Sequence, residues 1–138
     1  MRWASNALFA ALLLAASAET GSAQNAVLGY LVQQDFSDCQ NNNVREGNPS
    51  NMGGKVAVDR GSDGKTSVKV AMTAARLTTY HFFLKCIRIL GDIKTDEEGI
   101  AEAEFTFPTS EAGNVFAFDM YPEGAPAGNK FQSTQIKF

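Results

Sequence analysis

The sequence predicts an all-β domain, an antiparallel β-sandwich of about seven strands. Three observations carry this. Residues 100–107 alternate strictly, with Ala101, Ala103, Phe105 and Phe107 on one face and Ile100, Glu102, Glu104 and Thr106 on the other. That period of two is the mark of a half-buried strand. Residues 79–90 open the same way, Tyr80, Phe82, Leu84 and Cys86 opposing Thr79, His81, Phe83 and Lys85. Finally, turn-rich segments separate every apolar run after the N-terminus, and none of those runs has the length and 3.6-residue period of a helix.

The chain begins with a different pattern. Met1-Arg2 gives a small positive start, residues 7–16 are an unbroken apolar run, and Gly21-Ser22-Ala23 places small residues before a cleavage point. This is the order of a secretory signal peptide, and the run falls short of the about 20 apolar residues that span a membrane. A buried N-terminal helix would not explain the flanks. Cleavage is expected after Ala23, with Ala18 as a second position, leaving one domain over residues 24–138. No cysteine follows the apolar run to receive a lipid, and no later window is apolar enough to cross a bilayer. The expected location is secreted or periplasmic.

The strands follow in order. Residues 26–32 are the first, and 35–54, rich in Asn, Gly, Ser and Asp, are a loop of unusual length for a compact domain. Residues 55–59 and 66–73 flank a turn containing Asp63-Gly64, a hairpin signal. The same turn has the outline of a calcium loop, but Val70 stands where the bidentate Glu is required, so a plain turn is preferred. One long strand covers 79–90, bends at Gly91 and pairs through a turn at Asp96-Glu97-Glu98-Gly99 with 100–107, making this hairpin the heart of the domain. Residues 114–121 alternate again, with Phe116, Phe118 and Met120 on one face, and 130–138 form the last strand. Phe138 and Ile136 resemble the ending of an outer-membrane barrel protein, but Thr134 and Gln132 continue that face, so an ordinary last strand is expected.

Cys39 and Cys86 are the only cysteines, an even count in an exported chain, and are expected to form a disulfide. A redox pair would sit closer together, as in Cys-x-x-Cys. The series Thr79-Tyr80-x-Phe82-x-Leu84-x-Cys86 followed by Thr95-Asp96-x-x-Gly99-x-Ala101 resembles the core of small exported immunoglobulin-like modules. The resemblance implies an immunoglobulin-like sandwich and brings no site residues with it. The tryptophan of antibody domains has no counterpart, since Trp3 lies in the signal peptide.

Composition narrows the function classes. Twelve Lys and Arg against fifteen Asp and Glu, mixed along the chain, argue against nucleic acid, which wants a basic face. His81 is the sole histidine and is expected on the outward face with an incidental role. Two cysteines and one histidine give no metal site, and nothing calls for a cofactor. Glu102 and Glu104 are two apart on one strand, roughly 6.8 Å along the sheet, near the roughly 6.5–9.5 Å of an inverting glycosidase pair. A strand with an Ala/Phe face must nevertheless carry something polar opposite, so a small hydrolase is the disfavoured alternative and no enzyme is expected.

The most promising binding element is the 121–131 loop, where Tyr121, Pro122, Glu123, Pro126, Asn129 and Phe131 combine aromatic area with proline stiffness. Its aromatics could instead cap the core. Phe83, Ile87 and Ile89 pose a related choice between a covered face and an exposed apolar patch. The sequence therefore points to an exported, disulfide-stapled, non-catalytic binding module for a protein or small extracellular ligand. A subunit joined to a surface assembly through a sheet edge is the alternative.

Overall fold

The structure, a computed structural model, describes residues 26–35, 37–48 and 52–138. The segment expected to be a signal peptide, with the expected cleavage position, lies outside the described residues. Among the described residues the strands are ten: β1 (Val27–Gln33), β2 (Met52–Arg60), β3 (Lys65–Thr73), β4 (Thr79–Leu84), β5 (Arg88–Lys94), β6 (Ile100–Pro108), β7 (Val115–Phe116), β8 (Phe118–Pro122), β9 (Phe131–Ser133) and β10 (Ile136–Lys137). All described pairings are antiparallel. The all-β antiparallel class expected from alternation is therefore present. Eight strands form one continuous sheet in the order β5-β4-β8-β9-β1-β2-β3-β6, and β10 pairs with β7 in a two-stranded ladder.

The sheet curls until its two terminal strands meet. Phe105 of β6 stacks on Phe82 of β4 at 5.3 Å between centroids. Its ring also fills the space beside Gly91 of β5, where an added Cβ would lie 2.5 Å from Phe105 Cε1. A glycine there lets β5 close over β6. The result is a near-barrel, and an immunoglobulin-like pair of sheets is a finer description than this strand order supports. The interior is formed by inward residues of almost every strand, with Val56, Val58, Val68, Tyr80, Phe82, Leu84, Phe118 and Met120 fully buried.

The central hairpin differs from the one expected. Residues 79–90 are not one strand, and β5 does not pair with β6. The chain turns at Lys85-Cys86-Ile87, where Ile87 N–H donates to Leu84 O at 3.0 Å, and β4 pairs with β5. Cys86 takes the left-handed φ of 63° and is exposed, off the core face assigned to it. The 96–99 turn does form, with Gly99 at φ 81° and the Asp96 Oδ1 accepting from the amides of Glu98 and Ile100. It connects β5 to β6 across the seam of the near-barrel. Two further expected strands are divided: 114–121 gives β7 and β8, and 130–138 gives β9 and β10. The end of the chain is an ordinary ladder, with Phe138 N–H donating to Asn114 O at 2.9 Å.

The disulfide between Cys39 and Cys86 is formed, joining residues 47 apart in sequence. It ties the 37–48 part of the long loop to the β4–β5 turn, and that part is built into the fold. Asn41 is completely buried, and its Nδ2 donates to Ser133 O at 2.8 Å and Phe118 O at 3.3 Å. Val44 is buried beside it in the chain. Asp38 holds the turn by accepting from the Asn42 side-chain amide and from the backbone amides of Asn42 and Gln40, which also keeps its carboxyl below the ordinary range.

Candidate functional site

The outward face of the β5-β4-β8 end carries an unusual mixture of groups. Because β4 alternates, burying Tyr80, Phe82 and Leu84 turns His81, Phe83 and Lys85 outward. Because β8 alternates, burying Phe118 and Met120 turns Asp119 and Tyr121 outward. The antiparallel register then sets His81 opposite Tyr121 and Phe83 opposite Asp119, while on the other side His81 faces Asp92 and Phe83 faces Ile89. Phe83 and Tyr121 stack at 4.9 Å between centroids with an angle of 21°. Ile87 and Ile89 flank them with 48% and 45% of their surface exposed. Phe83, Ile87, Arg88, Ile89, Asp119 and Tyr121 border a shallow hollow of about 330 Å³. The exposed-patch alternative for Phe83, Ile87 and Ile89 is therefore the one realised, with Phe83 itself half-buried under Tyr121.

Two polar clusters frame this hollow. His81 Nδ1 lies 2.6 Å from Asp92 Oδ1, and Nε2 lies 2.9 Å from Glu123 Oε2. Hydrogen bonds to Asp92 and then Glu123 raise the imidazole pKa above its ordinary value, so His81, outward as expected, is partnered on both sides. On the other flank, Lys85 Nζ donates to Asn41 Oδ1 at 2.6 Å, to Gln132 Oε1 at 2.7 Å and to Ser37 Oγ. Burial pushes the Lys85 pKa down. This lysine anchors the disulfide loop onto β9.

Asp119 is the group most changed by its surroundings. Burial raises its carboxyl to about 6, against a smaller opposing pull from the charge on Lys85. A carboxyl whose folded pKa lies above the ordinary 3.8 favours the fold only while protonated. That contribution is whole below about 3.8 and is lost as pH rises through about 6. Asp119→Asn keeps a neutral side chain of the same shape at every pH. Its melting temperature should therefore exceed the wild type's at pH 7, and the difference should vanish under acid conditions near the lower pKa. A variant melting at or below the wild type at pH 7 would contradict this account.

The six residues proposed in the 121–131 loop divide between core and surface. Phe131 is 6% exposed, sits edge-on to Tyr80 at 6.1 Å and covers Gly53, and Pro122 is buried too. Neither is available to a ligand, because the inward alternation of β8 and β9 commits both to packing. Asn129 accepts a hydrogen bond from the Tyr80 hydroxyl, which itself accepts from Ala75 N–H at 3.1 Å, so Asn129 fastens the loop to the core. Tyr121 and Glu123 lie at the outward face, and Pro126 is exposed in the loop. The loop is stiff: Ala125 N–H donates to Pro122 O at 2.9 Å and Asn129 N–H to Pro126 O at 3.2 Å.

Glu102 and Glu104 stand elsewhere, exposed on the outward face of β6, with Glu104 opposite Lys69 in the ladder. They border a wider depression over β1, β2, β3 and β6 with Leu28, Ala57 and Ala71. His81, Asp92 and Glu123 form a separate hydrogen-bonded group on β4, on β5 and just after β8. Among the described residues no cluster of His, Cys, Asp and Glu has the arrangement of a metal site, which includes the 59–64 turn. No helix among the described residues is long and apolar enough to cross a membrane.

The role of Asp119 escaped sequence reasoning. Within its own strand it is one polar residue in a regular alternation, and only the pairing of β8 with β4 places it beside Phe83. Comparison with known protein families finds no model that matches the chain, and no curated protein matches it.

Proposed function

We propose that this protein is an exported, disulfide-stapled, non-catalytic binding module whose ligand surface is the outward β5-β4-β8 face with the start of the 121–131 loop. The observation that carries the reading is the stacked Phe83–Tyr121 pair with the half-exposed Ile87 and Ile89 beside it, on the solvent side of the sheet. Contiguous exposed apolar side chains, rather than single ones, are the mark of an interaction surface. The stiff loop supports the same reading, since a pre-ordered contact surface loses less entropy on binding. Export is supported by the N-terminal residue pattern, and the disulfide suits an oxidising compartment.

The sheet-edge assembly has less support, because the terminal strands β5 and β6 face one another across the seam. The paired-carboxylate hydrolase has less again: Glu102 and Glu104 are exposed on an open face. The test is capture from the exported fraction by tagged protein beginning at Gln24. Tyr121→Ser and Ile89→Asp should each remove the captured species while remaining folded, and Glu102→Gln should retain it. Full capture by both β4-side variants would place the binding surface elsewhere.

A further inference from the structure

The hollow on this face is largely apolar, and its one carboxyl, Asp119, is held by its own backbone amide and by no ion pair. Among the described residues Asp119 forms no salt bridge, while Arg88, the cation at the rim, is engaged with Glu111 at 2.8 Å. Lys85, whose charge acts on Asp119, spends its donors on Ser37, Asn41 and Gln132. A half-buried carboxylate left in this state is costly to the fold, and a cation placed against it would relieve that cost.

We propose that the hollow binds a small organic ammonium, a primary or quaternary amine carried on an apolar body. The proposal rests on the reading of this face as the ligand surface and adds the chemistry of the ligand. Asp119 supplies the counter-charge, Phe83 and Tyr121 supply ring faces that attract a cation, and Ile87 and Ile89 receive the apolar body. The hollow, at about 330 Å³, falls at the small end of the range of ligand pockets. An anion would meet Asp119, and a neutral apolar ligand would bury that carboxylate without pairing it.

The experiment is a titration of the ¹⁵N-labelled mature chain with 2-phenylethylammonium chloride, matched in sodium chloride and compared with the neutral 2-phenylethanol. Saturable amide shifts are expected at Phe83, Ile89, Asp119 and Tyr121, with the alcohol at least about tenfold weaker. Asp119→Asn, expected to be the more stable protein at neutral pH, should lose at least about tenfold in affinity for the ammonium. Equal binding of the alcohol, undiminished binding by Asp119→Asn, or no saturable shift would each overturn the proposal. A capped Ala-Lys-Ala peptide that binds where the free amine does not would overturn it in favour of a lysine presented by a protein. These negative results remove the ligand class alone, since the surface itself is judged by the capture variants Tyr121→Ser and Ile89→Asp.

Discussion

Phe82→Ala should cost the fold about 3–5 kcal/mol, the range for truncating a large buried aromatic. Phe82 is fully buried and is packed between Phe105 at 5.3 Å and Phe118 at 5.2 Å. It therefore joins β4 to β8, its sheet neighbour, and to β6, the strand that closes the seam. Removing the ring would leave a cavity at the point where curling brings the sheet ends together, and stacking with both neighbours would be lost. For a domain with a net stability of about 5–15 kcal/mol, that loss is a substantial share of the margin. His81→Ala, one position away and facing outward, should shift the denaturant midpoint far less. A larger shift for His81→Ala would mean that the alternation of β4 is inverted, and equal shifts would mean that the two positions are not divided between core and surface.

Loss of the disulfide is expected to be comparable. Replacing both Cys39 and Cys86 by alanine opens a closed loop with a sequence separation of 47, and the chain-entropy relation puts that at about 4 kcal/mol. Native-state effects act in both directions. Cys86 holds a left-handed φ of 63°, which an L-residue adopts at a cost, and the bridge helps keep it there. The bridge also keeps Asn41 in reach of Ser133, Phe118 and Lys85. Urea unfolding of the double variant should show a midpoint well below the wild type's, matched by wild type in reductant. An unchanged midpoint would show that the loop is held by Asn41 and Val44 without the covalent tie.

What was legible in the residues was local. Alternation in β3, β4, β6 and β8 placed Val68, Phe82, Phe107 and Phe118 inside, because side-chain direction has a period of two whatever the strand pairs with. Gly99 and Asp63-Gly64 marked their turns because a positive φ asks for glycine. The β4–β5 turn was hidden for the converse reason. Lys85-Cys86-Ile87 contains no turn-favouring residue, and it is closed by a cysteine held from 47 residues away. Strand order was hidden as well, since β8 joins β4 and β9 joins β1 by pairings that no local pattern encodes.

The same division applies to the site. Tyr121 was found by composition, and the outward direction of Phe83 by periodicity. Their stacking, and the placement of Asp119 between an aromatic pair and an engaged lysine, depends on the register of β4 with β8. Phe131 and Asn129 were assigned to the surface because the loop's composition does not show that β9 turns inward or that Tyr80 reaches the loop.

The claim that the β5-β4-β8 face is the binding surface is tested most directly by hydroxyl-radical footprinting of the mature protein, free and with its captured partner. Phe83, Ile87, Ile89 and Tyr121 should lose reactivity in the complex. Leu28 and Ile100, exposed at 61% and 46% on other strands, should react as before. Protection of Leu28 with unchanged oxidation of Phe83 and Tyr121 would contradict the account and move the site to the depression bordered by Glu102 and Glu104.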